Sequence, residues 1–418
     1  MEHTIDTPQN QDSWNLGASY SLALKQSFFL TLFTLFCIHK TFGWGLGLCA
    51  PTFEEGALRF VHGISPYLPH LNPLADRFQY PPFFAWMYYP FTQMTPIVHG
   101  LAWMTINTFI FWLGVSRWLA LRPSDRRNFK WNLLFFALCA MEMEMAIRFR
   151  QNNAIHTGCI LLGVREYVDR RDWRAAAWLL FGTGIKVLPI IFAILLLFPI
   201  RPRFWLACVG MGLIIVLAPG LTAGTWGIKM FSTWVNHMLA VVIPTQGQQD
   251  IASIAEHIGI QKFIALGLRS GIFILTATVL LLTRFFSKKE FPWDLWIPLV
   301  FMAILLCSPK TEAPSFVMFA PFSVFYGIYL RRTWRKGNYF ALMGYVLPIL
   351  LVSGVHNDLF FLKHFSPIFR FSMETKPYGT LVAWLALMIP LTKRLSRTML
   401  QIMESRLESL TSPVSTTS

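Results

Sequence analysis

Acidic residues are scarce in this chain: 21 Asp and Glu stand against 36 Lys and Arg in 418 residues. Charged residues of both signs together make up only 14%, where a soluble chain carries roughly 25%. Beside 54% hydrophobic residues, that deficit excludes an ordinary soluble enzyme. Metal-ligand spacing is missing too, since the histidines are scattered and no H-x-x-x-H or D-x-D pairing occurs. Neither a metal nor any other cofactor is therefore expected. The six cysteines, Cys37, Cys49, Cys139, Cys159, Cys208 and Cys307, mostly lie within apolar runs and read as small buried hydrophobes. No P-loop or dinucleotide fingerprint appears. No internal repeat is visible, and Met1–Leu24 is polar and mixed, without a cleavable signal pattern.

What is present is a series of apolar runs of membrane-spanning length, with basic residues gathered in the short loops between them. Lipid leaves open backbone groups unsatisfied, so the expectation is an all-α polytopic membrane protein, a bundle of about 10–12 transmembrane helices. The net charge of +15 then follows the positive-inside rule and implies membrane lipid, not nucleic acid, as the partner. Residues 1–24 read as a cytosolic lead, 25–392 as the polytopic domain, and 393–418 as a cytosolic tail, partly amphipathic and partly disordered. The charge count puts both termini inside. It puts residues 50–80, 148–153, 222–262, 308–315 and 356–376 outside, with 222–262 and 356–376 read as loops. One run, Ala175–Phe198, is flanked by cations on both sides. A straight span would break the rule, so a hairpin of two half-length limbs is expected, turning near Gly184–Pro189 with Lys186 at its tip.

The polar groups thus collect on one face. The stretch Phe53–Pro90 carries Glu54, Glu55, Arg59, His62 and several aromatic residues. An enzyme meeting a lipid-borne phosphate needs a cation for the phosphate, a carboxylate base for the acceptor and aromatic surface for a sugar. Glu54 and Glu55 are the candidate bases, or else solvated acids capping a helix from Gly56. Lys186, a lone ammonium in an apolar run, reads as functional; Arg148 and Arg150 suit phosphate or anchor the membrane edge. Gln151 and Asn153 orient hydroxyls or cap the next helix. Lys310 and Glu312 either join the site or pair with each other. Tyr67, Tyr80 and Trp86 line a sugar path or form an interfacial belt, and one of Glu142 and Glu144 is placed to face a cavity.

At these residues a resemblance emerges. GISPY followed by YPPFFAWMYYP resembles the G-x-x-PY…YPP signature of the polyprenol-phosphate-dependent mannosyltransferases of glycosyltransferase family 87, in the GT-C superfamily. RQNN is similar to that family's G-Q-x-N segment at Gln151 and Asn153, with Arg150 in place of the glycine. GIKVLP matches its Lys-x-x-Pro at Lys186 and Pro189, and CSPKTEAPSF its late S-P loop at Ser308 and Pro309. The resemblance implies a GT-C-like integral membrane enzyme of the bacterial inner membrane, with its active site in extracytoplasmic loops. Such an enzyme moves a hexose, usually mannose, from a polyprenyl-phosphate sugar donor to a glycolipid or glycan acceptor, with inversion. The acid that the family carries at the end of the first span falls on Cys49 here, so either Glu54 or Glu55 takes its place, another acid of the chain serves as the base, or the activity is lost. The alternatives are a lipid or lipid-linked-sugar transporter and an inactive family member serving as a partner subunit.

Overall fold

The computed structural model of the chain describes residues 20–42, 49–69, 78–119, 126–198, 201–240, 250–252, 255, 258–287, 291–308, 311, 313–333, 338–354 and 366–411. Among the described residues the fold is all-α, with no strand. Helix α1 (Tyr20–Phe42) turns Phe28, Phe29, Leu32, Phe33 and Phe36 outward. Its inner face carries Ser27, Thr31 and Thr34, each bonded to the carbonyl four residues back. Polar small residues inside and large apolar ones outside is the arrangement that lipid favours, because lipid gives no reward for burying phenylalanine.

Helix α4 (Pro96–Trp118) packs on α1, where Trp112 Nε1 donates to Thr34 Oγ1 at 3.0 Å. Its other face meets α6 (Asn153–Val168), the axis of the first half, in which every residue from Asn153 to Tyr167 is buried. Gly114 and Gly158 face each other at this crossing. A Cβ on Gly114 would lie 2.8 Å from the Gly158 carbonyl oxygen, and one on Gly158 would strike the Ile110 backbone. Small residues let the two backbones approach.

The segment flanked by cations is a hairpin. Helix α7 (Asp172–Ile185) rises along α6, the chain breaks at Lys186, and α8 (Pro189–Leu196) returns. Arg201, beyond the return limb, sits 3.4 Å from the carboxylate of Asp172, which opens the first limb. It also donates to the Tyr167 carbonyl at 3.0 Å. The two ends of the segment therefore meet. The first limb is deeper than the half-length expected: its 14 residues span about 21 Å, more than half of a ~30 Å hydrocarbon core.

Helix α9 (Pro202–Leu217) bends by 101° at Ala218–Pro219 into a further helix, α10 (Gly220–Ala240). This corrects the reading of 222–262 as a loop over residues 222–240, which are helical apart from a break at Gly224 (φ 57°), while residues 241–249 lie outside the described residues. The mixed polarity of α10 lacks the continuous apolar run that marks a span. The second half holds α11 (Lys262–Phe286), the almost wholly buried α12 (Trp293–Cys307), a 3₁₀ stretch (Ala313–Phe319) and α13 (Ala320–Thr333). Helices α14 (Tyr339–Ile349) and α15 (Ser366–Thr411) follow. Because α15 begins at Ser366, the expected loop 356–376 is helical over its second half, and residues 356–365 lie outside the described residues. The same helix runs through 392–393 without a break.

Among the described residues, three helices are individually long and apolar enough to cross a membrane, within α1, α4 and α11, or four if the bent pair α9–α10 is one span. The larger count expected from the sequence included shorter apolar helices such as α12 and α14. It also included the broken α7–α8 segment and α5 (Arg126–Arg148), whose charged residues interrupt its apolar run.

Candidate active site

The two halves of the Phe53–Pro90 stretch fold as helices joined by a clamp. Helix α2 (Ala50–Val61) starts with Pro51 in its first turn and ends where Gly63 takes φ 72°. That left-handed turn favours glycine, which is a physical reason for the first residue of the GISPY motif. Helix α3 (Pro82–Thr92) starts at the second proline of YPP, a position where the missing N–H costs nothing. Tyr67 Oη donates to the Tyr80 carbonyl at 3.1 Å, so the PY and YPP elements are bonded to each other. Burial pushes the Tyr67 phenol well above its ordinary range, keeping it a donor. Phe53 packs edge-on against Tyr80, Phe84, Tyr88 and Trp103, at centroid distances from 5.0 to 6.4 Å. Helix α10 roofs this pair: Trp226 lies on Phe60, His237 stacks on Tyr67, and Trp234 Nε1 donates to the Gln79 carbonyl.

A row of polar groups runs from this platform into the bundle. Glu54 Oε1 lies 2.8 Å from Nδ1 of His99, and His99 Nε2 lies 2.6 Å from Tyr88 Oη. A carboxylate can only accept, so Nδ1 donates to Glu54, while Nε2 shares a hydrogen bond with the tyrosine hydroxyl. His99 is 2% exposed while the Glu54 side chain is 40% exposed: the acid is held from behind and open in front. The Arg150 guanidinium lies against Gly100, next to His99, so closely that a Cβ there would be 2.5 Å from Cζ. Trp103 Nε1 donates to the Arg150 carbonyl at 3.1 Å, and the Cys49 amide donates to the Phe149 carbonyl. The turn between α5 and α6 is thereby tied to both α2 and α4.

That turn carries Arg150 at φ 52°, a conformation that costs a residue with a Cβ about 1–2 kcal/mol. The family motif has glycine at this position, and the backbone shows why. From here the row continues through amides. Asn153 Nδ2 donates to Gln151 Oε1, and Lys186 Nζ, at the hairpin turn, donates to Asn153 Oδ1 at 2.7 Å. Phe83 of α3 closes over Gly184 on the same turn. Asn152, between these two, is fully buried, and neither end of its side-chain amide has a hydrogen-bond partner among the described residues.

The structure thus brings together Glu54, Arg150, Gln151, Asn153 and Lys186. Glu55 is committed elsewhere, 2.6 Å from Arg59, whose guanidinium also donates to the Leu68 and Pro69 carbonyls. Tyr67 and Tyr80 act on one another as described. Lys310 and Glu312 lie outside the described residues, as does the side chain of Arg148. Glu142 is buried within α5, and the side chain of Glu144 lies outside the described residues. Sequence reasoning missed His99, Tyr88 and Asn152. The signal for His99 was a lone polar ring in the first turns of an apolar helix, the kind of residue that an intramembrane site uses. Among the described residues, no three His, Cys, Asp or Glu side chains gather as a metal-binding group.

The geometry joins an aligned carboxylate, two cations and an unpartnered amide on one end of the bundle. A family model described as Glycosyltransferase family 87 matches residues 78–309, more than half of the 418 residues. The match takes in His99, the Arg150–Asn153 turn and Lys186, and it begins after Glu54, Glu55 and Tyr67. Searches of curated proteins and of solved structures found no match. The chain is a polytopic membrane protein that belongs to glycosyltransferase family 87.

Proposed function

We propose that this glycosyltransferase moves a hexose, mannose by the signature it carries, from a polyprenyl-phosphate sugar to a glycolipid or glycan acceptor on the extracytoplasmic side of a bacterial inner membrane. The contact that carries the reading is Glu54 on His99, which leaves one open carboxylate facing outward from a buried polar row. Glu54 takes the proton of the acceptor hydroxyl as its oxygen forms the new bond to the anomeric carbon. On the opposite side of that carbon the bond to the phosphate oxygen breaks, and polyprenyl phosphate departs as an anion. A single displacement of this kind inverts the configuration. Lys186 and Arg150 neutralise the departing phosphate, and Arg148 and Lys310 are assigned the same role. This charge makes a metal unnecessary, and a chelator is expected to leave the rate unchanged. The Asn152 amide meets sugar hydroxyls, and Gln151, Asn153 and Glu312 are assigned to substrate binding as well.

The proposed orientation puts both termini in the cytosol. Arg117, Arg165 and Arg171 cluster at the end of α4 and α6 away from Lys186, where cytosolic charge belongs. The test uses purified full-length protein, radiolabelled polyprenyl-phosphate mannose and lipid acceptors. Transfer is expected in the wild type, with Lys186→Ala lowering kcat/KM for the donor about thirtyfold, the order of one hydrogen bond to a charged group. Absence of transfer with any acceptor would sink the enzymatic reading. Movement of the intact donor between leaflets without transfer would instead establish a transporter.

A further inference from the structure

At the end of the bundle opposite Lys186, helices α13, α14 and α15 enclose a cavity of about 500 Å³. Its walls differ sharply in character. Tyr326 is buried on one side, 3% exposed, with its ring stacked on Phe322 and Tyr329. Its hydroxyl borders the cavity and has no hydrogen-bond partner among the described residues. Ala386, Ile389 and Pro390 of α15 form an apolar strip. One and two turns further along the same helix, Lys393 and Arg397 stand exposed at the rim. Neither has an ion-pair partner among the described residues.

We propose that this cavity seats one anionic phospholipid, its phosphate between Lys393 and Arg397 and a headgroup oxygen on the Tyr326 hydroxyl. Two cations set one turn apart on a helix match a single phosphate. A tyrosine hydroxyl at the cavity wall with no partner among the described residues is free to bond a ligand oxygen. The neighbouring outward surface selects a lipid over a free anion: Phe340 is 79% exposed, Met343 56% and Ile389 52%, a face that only acyl chains would cover. The site is separate from the glycosyl-transfer end, so it does not depend on the reaction proposed there.

The experiment is native mass spectrometry of the full-length protein in detergent, titrated separately with phosphatidylglycerol, phosphatidylcholine and inorganic phosphate. Phosphatidylglycerol is expected to bind the wild type, and about thirtyfold more weakly the pair Lys393→Gln with Arg397→Gln, at the usual contribution of two interfacial cations. Tyr326→Phe removes only the hydroxyl, so about fivefold weaker binding is expected. That variant decides the matter if the double variant fails to fold. Equal phosphatidylglycerol binding by wild type and variants would overturn the proposal. So would phosphatidylcholine binding as tightly, or inorganic phosphate displacing the lipid at matched concentration, which would mark a soluble-anion site.

Discussion

The two ends of the first-half bundle use charge in opposite ways. Away from Lys186, charges answer each other. Arg117 lies 3.4 Å from Glu166 and 3.2 Å from Asp169, Arg165 lies 3.2 Å from Asp169, and Arg171 lies 3.3 Å from Glu166. Arg201 and Arg284 both lie on the ring of Tyr167, and Arg284 donates to its hydroxyl at 2.7 Å. At the Lys186 end, Glu54 rests on an imidazole and remains open, and the Asn152 amide has no hydrogen-bond partner among the described residues. A buried ion-paired network, which leaves Ser116 Oγ and Arg117 Nε without a hydrogen-bond partner among the described residues, fixes how α4, α6 and α7 assemble. An open row is held in place at some cost to stability, which only a ligand can offset. The comparison predicts that substitutions at one end should cost stability and at the other end activity.

The largest effect should come from the open carboxylate. Glu54→Gln is expected to lower kcat by ~10³-fold, the scale of a general base, with the thermal midpoint in detergent nearly unchanged. Glu55→Gln frees Arg59 from one of its three contacts and should lower kcat less than about tenfold, since its salt bridge is a local i,i+4 pair. If Glu55→Gln proved the more damaging change at equal folding, the base assignment would be reversed.

At the closed end the order inverts. Glu166 is 1% exposed and serves Arg117 and Arg171 together. Glu166→Gln leaves the buried Arg117 with Asp169 alone and should destabilise the protein by about 3 kcal/mol, the usual cost of removing one partner from a buried pair. Transfer per folded molecule should stay within about twofold of wild type, read from activity normalised to the folded fraction. A large loss in that normalised rate would mean that the two ends are coupled and that the contrast drawn above is false.

The sequence showed the parts of this contrast unevenly. The hairpin was legible because charge on both flanks of Ala175–Phe198 is a one-dimensional pattern, and Lys186 stood out within it. The PY…YPP pair was legible as a motif, although its reason, the Tyr67–Tyr80 bond, is a contact across a turn. Helix α10 was hidden because its mixed polarity lacks an apolar run and its start depends on a 101° bend. The Glu54–His99–Tyr88 row draws one residue from each of three helices. No spacing along the chain encodes it, and only the packing of Phe53 against Phe84, Tyr88 and Trp103 sets its register.

Asn152 offers the finest probe of the contrast, because stability and activity should move in opposite directions there. Its side chain is fully buried and both ends of the amide are unpartnered among the described residues. Asn152→Leu keeps a similar volume and removes the unsatisfied groups, which cost roughly 1–3 kcal/mol when buried. The thermal midpoint should therefore rise, by an amount corresponding to about 1 kcal/mol after some repacking. If the amide serves sugar hydroxyls, kcat/KM should fall about tenfold at the same time, the two groups each losing a modest hydrogen bond. A residue kept only for packing would show the opposite pairing, a lower midpoint with unchanged normalised activity. That result would place Asn152 with the closed end of the bundle in kind, though not in position, and would remove the sugar-binding role from the turn while leaving Glu54 untouched.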